Sequence, residues 1–187
     1  MKKVILVTGE KYSGKTTLSK QLAEKLDGSV YFTNFADPIK EIVTAVTNLT
    51  AEDIETLKEH EGIVLFGGKT MRQYLQHLGD IMRKLFGKDI FSKKAVERIK
   101  EQSVDYAIIG DLRYKLEQDY ITDAFGKYNV IVVKVQRGKP TTSIKDEHSS
   151  ENDFKNLTPD YVLNNTGSLE EFENTANTLC KEINNAT

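Results

Sequence analysis

With 187 residues, the chain is long enough for one domain with a sizeable core and a small insert. Its 26 Lys and Arg are offset by 28 Asp and Glu, a net charge of −2, which argues against a surface built to grip a nucleic acid polymer but leaves room for a mononucleotide that needs only a few local cations. One cysteine excludes an intramolecular disulfide, no apolar run reaches the roughly 18 residues of a membrane span, and the Met-Lys-Lys start lacks the cleavage site of a signal peptide, so a cytoplasmic protein without membrane partners is expected.

The first element is VILVT at 4–8, a short apolar run that reads as a strand. Gly9-Glu10-Lys11-Tyr12-Ser13-Gly14-Lys15-Thr16 follows and fits G-x-x-x-x-G-K-[ST]. Each residue type in that pattern has a chemical reason. The glycines let the backbone curl so that N–H groups converge on phosphate, and the helix beginning at Lys15-Thr16 turns its positive end to the same point. Lys15 can reach the β- and γ-phosphates, and the Thr16 hydroxyl can ligate Mg²⁺. Tyr12, Ser13 and Thr17 complete the stretch expected to hold the donor. The bland reading is an ordinary turn between strand and helix; the context, with a strand before and a helix marked by Leu18, Leu22 and Leu26 after, favours the phosphate cradle.

SVYFT at 29–33 reads as a second strand, and Asp37-Pro38 as an N-cap with a first-turn proline. Residues 48–102 hold no clear strand and are expected to form a helical insert. Within it, Thr70 and Gln73 make a capping box for a helix whose apolar face is Met71, Tyr74, Leu75, Leu78, Met82 and Leu85. Gln73, His77, Asp80 and Lys84 form a solvated face. Between the two faces, Arg72, Gln76, Gly79 and Arg83 fall on one line. Two arginines around a glutamine suit an anion and a hydrogen-bonding base edge, and a closely approaching ligand would explain the glycine. A boundary row of snorkelling arginines is the competing reading.

YAIIGD at 106–111 ends a buried strand on Asp111. In parallel α/β sheets the ligand lies at the carboxyl ends of the strands, which suits Asp111 to holding Mg²⁺ directly or through water; a helix N-cap is the alternative. Arg113 could meet phosphate or pair with a carboxylate such as Glu117. VIVVKV at 130–135 is the next strand, followed by Arg137 and a polar stretch at about 138–155 with the composition of a lid, or simply of a surface loop. His148 in it lacks neighbours at metal-ligand spacing, so a zinc site is rejected. DYVLNN at 160–165 reads as a weaker strand, and Ser168-Leu-Glu-Glu171 as a capping box before an amphipathic helix that buries Cys180 as a core residue. Near-continuous apolar strands alternating with helices imply a three-layer α/β sandwich around a parallel five-stranded sheet.

Taken together, Gly9–Thr16, FADPIKEI at 35–42, TMRQYLQHLGDIMR at 70–83, GDLRYKLE at 110–117, HSSE at 148–151 and NNTGSLEEF at 164–172 resemble the deoxynucleoside monophosphate kinases of tailed bacteriophages. These are P-loop phosphotransferases of the nucleoside monophosphate kinase fold. The resemblance implies a single domain with a core at 1–47 and 103–187, a monophosphate-binding helical insert at about 48–102 and a lid at about 138–155. It implies transfer of the ATP γ-phosphoryl to a deoxynucleoside monophosphate with Mg²⁺, in the host cytoplasm if phage-encoded, by a monomer or homodimer. It assigns Lys15 and Thr16 to ATP and Mg²⁺, and makes Asp111 and Arg113 active-site residues. It puts Asp37, Lys40, Arg72, Gln76, Arg83 and Glu117 with the acceptor, and Arg137, His148 and Glu151 in or beside the lid, where Arg137 is also expected to bind the donor and neutralise the transferring phosphoryl. The chain departs from the family at Tyr114-Lys-Leu-Glu117, at Gly79-Asp80-Ile81 and at Phe91, where a tryptophan is common; these positions bear on base selectivity more than on the reaction. Rival expectations are a kinase for another phosphorylated small molecule, such as phosphomevalonate, and an ATPase or nucleotide switch acting on a protein partner.

Overall fold

The computed structural model describes residues 1–60, 68–138 and 156–185. Its contacts divide the chain into two compact units, Met1–Asn34 with Ala95–Thr187, and Phe35–Lys94.

The first unit is built on a five-stranded sheet: β1 (Lys3–Gly9), β2 (Val30–Thr33), β3 (Tyr106–Ile109), β4 (Val130–Gln136) and β5 (Tyr161–Asn164). The order is β2-β3-β1-β4-β5 and every pairing is parallel. Parallel neighbours cannot be joined by a tight turn, so each connection must cross over, and the crossovers from β1 to β2, β2 to β3 and β3 to β4 carry helices. β1 and β3, the central strands, bury nearly every side chain, which is why they read as unbroken apolar runs rather than as alternating ones. Helix α1 (Lys15–Lys25) and the C-terminal helix, α7 (Leu169–Asn185), cover one core. There Leu18, Leu22 and Leu26 meet Phe172, Ala176, Leu179 and Cys180 over Ile5, Val7 and Val133. Cys180 is therefore a core residue, and burial pushes its thiol pKa up, away from nucleophilic use. The capping box before α7 forms as read: Ser168 N–H donates to Glu171 Oε2 at 2.7 Å and Glu171 N–H to Ser168 Oγ at 3.2 Å. The remaining helix, α6 (Lys115–Phe125), follows β3.

The second unit is helical among its described residues. It contains α2 (Asp37–Thr47), α3 (Ala51–Glu59) and α4 (Met71–Phe86), and it ends within α5 (Ile90–Lys100). Val43, Ile54 and Met71 form its buried centre, with Leu49, Leu57, Tyr74, Leu75 and Leu78 packed against them. The Thr70–Gln73 capping box opens α4. Two details of the expectation change. The N-cap of α2 is Ala36, and Asp37 is the first helical residue, where its charge still complements the helix dipole. Leu85 leaves the apolar face: it is 67 % exposed, because α4 runs on past the residues that pack against it. Among the described residues, no helix is long and apolar enough to cross a membrane.

Candidate functional site

β1 ends at Gly9, and its neighbour β4 forces that choice. A Cβ on Gly9 would stand 2.3 Å from the Val135 carbonyl oxygen and 2.6 Å from Ser13 Oγ, so only a bare Cα fits where the chain leaves the sheet. The loop then turns through Tyr12 at φ 61 and Gly14 at φ 107 before α1 begins. Gly14 caps α1 without a side-chain hydrogen bond, and no acidic residue occupies the first turn. The N–H groups of that turn therefore make a point of positive potential, with no carboxylate of the helix's own first turn to offset it. Ser13 is 1 % exposed, and its Oγ has no hydrogen-bond partner among the described residues. A buried, orphaned hydroxyl beside converging amides is the chemistry that an anion satisfies. Lys15 bends over the same loop, its Nζ donating to the carbonyls of Gly9 at 2.8 Å and Glu10 at 2.7 Å.

Three strand ends crowd this loop. From β3, the chain turns through Asp111 to Arg113, and that turn is tied to β1: Leu112 N–H donates to the Val7 carbonyl at 3.1 Å, and Thr8 Oγ1 to the Leu112 carbonyl at 2.8 Å. Asp111 and Arg113 are half-buried. Asp111 is not the N-cap of α6, which is Tyr114. Glu117, 3 % exposed, accepts the backbone N–H groups of Arg113 and Tyr114, each at 3.1 Å, and so shapes this turn from within. From β4 comes Arg137, exposed, with Nη1 3.4 Å from the Tyr12 carbonyl. From β5 comes Asn165, whose Nδ2 donates to the Ser13 carbonyl at 2.8 Å. The sheet topology thus brings Lys15, Thr16, Asp111, Arg113 and Arg137 to its carboxyl edge. Thr16 is exposed, and with the Asp111 carboxylate it supplies the hard oxygen donors that Mg²⁺ prefers.

The second unit carries the other expected residues. On α4, Arg72, Gln76 and Arg83 are half-buried, along the line between the packed and solvated faces. Gly79 is buried against its neighbours: a Cβ there would meet Ile39 Cδ1 at 3.1 Å and Arg83 Nη1 at 3.3 Å. The glycine lets α2 approach α4 and lets the Arg83 side chain lie along its own helix. The Arg83 guanidinium also sits over the Phe91 ring, 4.8 Å from its centre. Asp37 and Lys40 belong to an ion-pair cluster, with Lys40 Nζ 3.7 Å from Asp37 and 2.7 Å from Glu55. Burial acts to raise the Glu55 pKa, but hydrogen bonds from Lys40 and Lys58 outweigh it and hold the carboxyl below its ordinary value. His148, Glu151 and the lid segment after Gly138 lie outside the described residues.

Two residues escaped the sequence reading. Thr8 was counted only as a strand residue, although a hydroxyl inside an otherwise apolar run was a usable sign. Asn165 was seen only within a matching motif; a polar amide directly after a strand end was the signal.

The model of the deoxynucleotide monophosphate kinase family matches residues 67–176. That stretch starts well after the glycine loop, so the match and the loop are independent observations. No curated protein matches the sequence. Among solved structures, the chain resembles dephospho-CoA kinase from Campylobacter jejuni at 17 % identity and TM-score 0.51, covering 96 % of both chains. It also resembles a gluconokinase from Sinorhizobium meliloti 1021 at 13 % identity and TM-score 0.50, covering 98 % of this chain and 94 % of that one. These likenesses speak for the fold alone. The family match takes in more than half of the chain, including α4 and the Asp111 turn, and on it this protein belongs to the deoxynucleotide monophosphate kinase family.

Proposed function

We propose that the enzyme moves the γ-phosphoryl group of ATP to a deoxynucleoside 5′-monophosphate, giving the diphosphate and ADP. In this reading the glycine loop holds the donor phosphates, and the Arg72, Gln76 and Arg83 row of α4 holds the acceptor. The observation that carries it is the orphaned Ser13 hydroxyl beside the uncapped first turn of α1. Thr16 and Asp111 would hold Mg²⁺, which when bound offsets charge on the β- and γ-phosphates.

The chain's own residues contribute position and charge. Lys15 and the first-turn amides neutralise the donor's phosphate oxygens as they are displaced. Arg113 and Arg137 stand at the same sheet edge, suited to charge developing on the transferred group. The acceptor oxygen is already ionised at neutral pH, so no side chain has to act as base. Asp37 and Lys40 serve by shaping the acceptor's surroundings, and Glu117 by holding the turn that carries Arg113.

The test is ATP-dependent ADP formation measured against each common deoxy- and ribonucleoside monophosphate and against non-nucleotide phosphorylated acceptors. Turnover with one or more deoxynucleoside monophosphates, well above that with no acceptor, is expected. Hydrolysis unaffected by every acceptor would point instead to an ATPase.

A further inference from the structure

Asn165 is fixed at the end of β5 by its own backbone N–H, which donates to the Gln136 carbonyl at 2.8 Å. Its side-chain Nδ2 reaches back across 152 positions of sequence to the Ser13 carbonyl. The acceptor there is a carbonyl oxygen, so only the NH₂ side of the amide can serve. The same Nδ2 lies 2.5 Å from where a Cβ on Gly14 would stand, with the Phe172 ring behind it at 3.4 Å. Gly14 thus has two reasons to be glycine: its φ of 107 and the amide pressed against it.

A trans peptide carries its C=O and N–H on opposite sides, and no peptide among the described residues is cis. Drawing the Ser13 carbonyl toward Asn165 therefore turns the Gly14 N–H away from it, at the head of α1. A peptide ending in glycine can rotate at little cost. The amide of Asn165 opposes that rotation from outside the loop.

We propose that Asn165 is a positioning residue: its amide sets the Ser13–Gly14 peptide so that the Gly14 N–H is presented to the phosphates of the donor nucleotide. The proposal rests on the reading of the glycine loop as the donor site. It adds a role for the β5 end that the loop motif does not contain.

Asn165→Leu and Asn165→Asp keep much of the side chain's volume and remove the donor. In each, the KM for ATP should rise about tenfold, the scale of one lost charge-assisted hydrogen bond, while the KM for the monophosphate stays within about twofold. A packing role would predict no such split. In ¹⁵N-resolved NMR of the full chain titrated with the β,γ-imido analogue of ATP, the wild-type Gly14 amide proton should move downfield, and in both variants that movement should be lost. Should the leucine variant fold poorly, the aspartate variant decides. An ATP KM within twofold of wild type in a folded variant, or an unchanged Gly14 shift, overturns the proposal. Lys15→Ala separates the underlying reading: if it binds the ATP analogue as tightly as wild type, the loop is not the donor site and both fall. If it loses binding while the Asn165 variants do not, only the positioning role is wrong.

Discussion

Single charges in this protein act through their immediate partners, and Glu55 is the clearest case. It is half-buried, and burial alone would raise its pKa; contact with Lys40 and Lys58 holds it below the ordinary value of 4.5. A carboxyl with a depressed folded-state pKa stabilises the fold above its unfolded pKa and loses that contribution as pH falls through the lower, folded value. Because the side chain is 44 % exposed, solvent screens the pairs and the contribution stays below about 1 kcal/mol. Glu55→Gln should therefore melt slightly below wild type at pH 6–7, and the gap should shrink as the pH falls below the ordinary carboxylate range. Melting curves of both proteins across that range test it, and a gap that widened in acid would show that the pairs do not stabilise the carboxylate. Lys40 was expected among the acceptor's ligands from its place in FADPIKEI. No spacing rule could show that Glu55, on another helix, would also hold it.

At the scale of elements, periodicity was a good guide to what lies inside and a poor one to what lies at a boundary. All five strands stand where their apolar runs put them; β1 and β3, covered on both faces, are the plainest in the sequence, and the edge strand β5, half exposed, is the weakest. Both capping boxes read from the sequence, at Thr70 and Ser168, also form, since their partners are only three residues apart. Gly79 was legible as unusual but not as to cause, since Ile39, which fills the space beside it, comes from a different helix. Phe91 shows the same limit: it stood out as a departure from a family tryptophan, and its contact with Arg83 emerges only when α4 and the first turn of α5 are folded together. That contact makes a prediction. Phe91→Leu keeps an apolar side chain in a site only 2 % exposed but removes the ring face under the guanidinium. If Arg83 holds the acceptor, the KM for the monophosphate should rise roughly two- to fivefold, in line with a cation–π contact of about 0.5–1 kcal/mol, while Phe91→Trp stays near wild type. Steady-state kinetics at saturating ATP would decide it; equal loss in both variants would mean that packing, not the ring face, matters.

At the scale of the whole molecule, a net charge of −2 has to coexist with handling two polyanions, and the chain does so by concentrating cations locally. Lys15, Arg113 and Arg137 gather at the sheet's carboxyl edge, while Arg72 and Arg83 share one face of α4. Each group belongs to a different compact unit of the chain, so each ligand's binding should be separable by mutation. Any ligand that binds only the folded state raises its stability, by about 2.7 kcal/mol at one hundred times its Kd. For a chain of this size that corresponds to a melting shift of roughly 5–10 °C. With wild-type protein, ATP analogue and deoxynucleoside monophosphate should each produce such a shift. Lys15→Ala should lose the first and keep the second; Arg72→Ala should keep the first and lose the second. Differential scanning fluorimetry with each ligand alone reads both arms. If Arg72→Ala weakens the two shifts equally, the α4 row is not a separate acceptor site, and its arginines are the boundary residues that helix geometry alone would also allow.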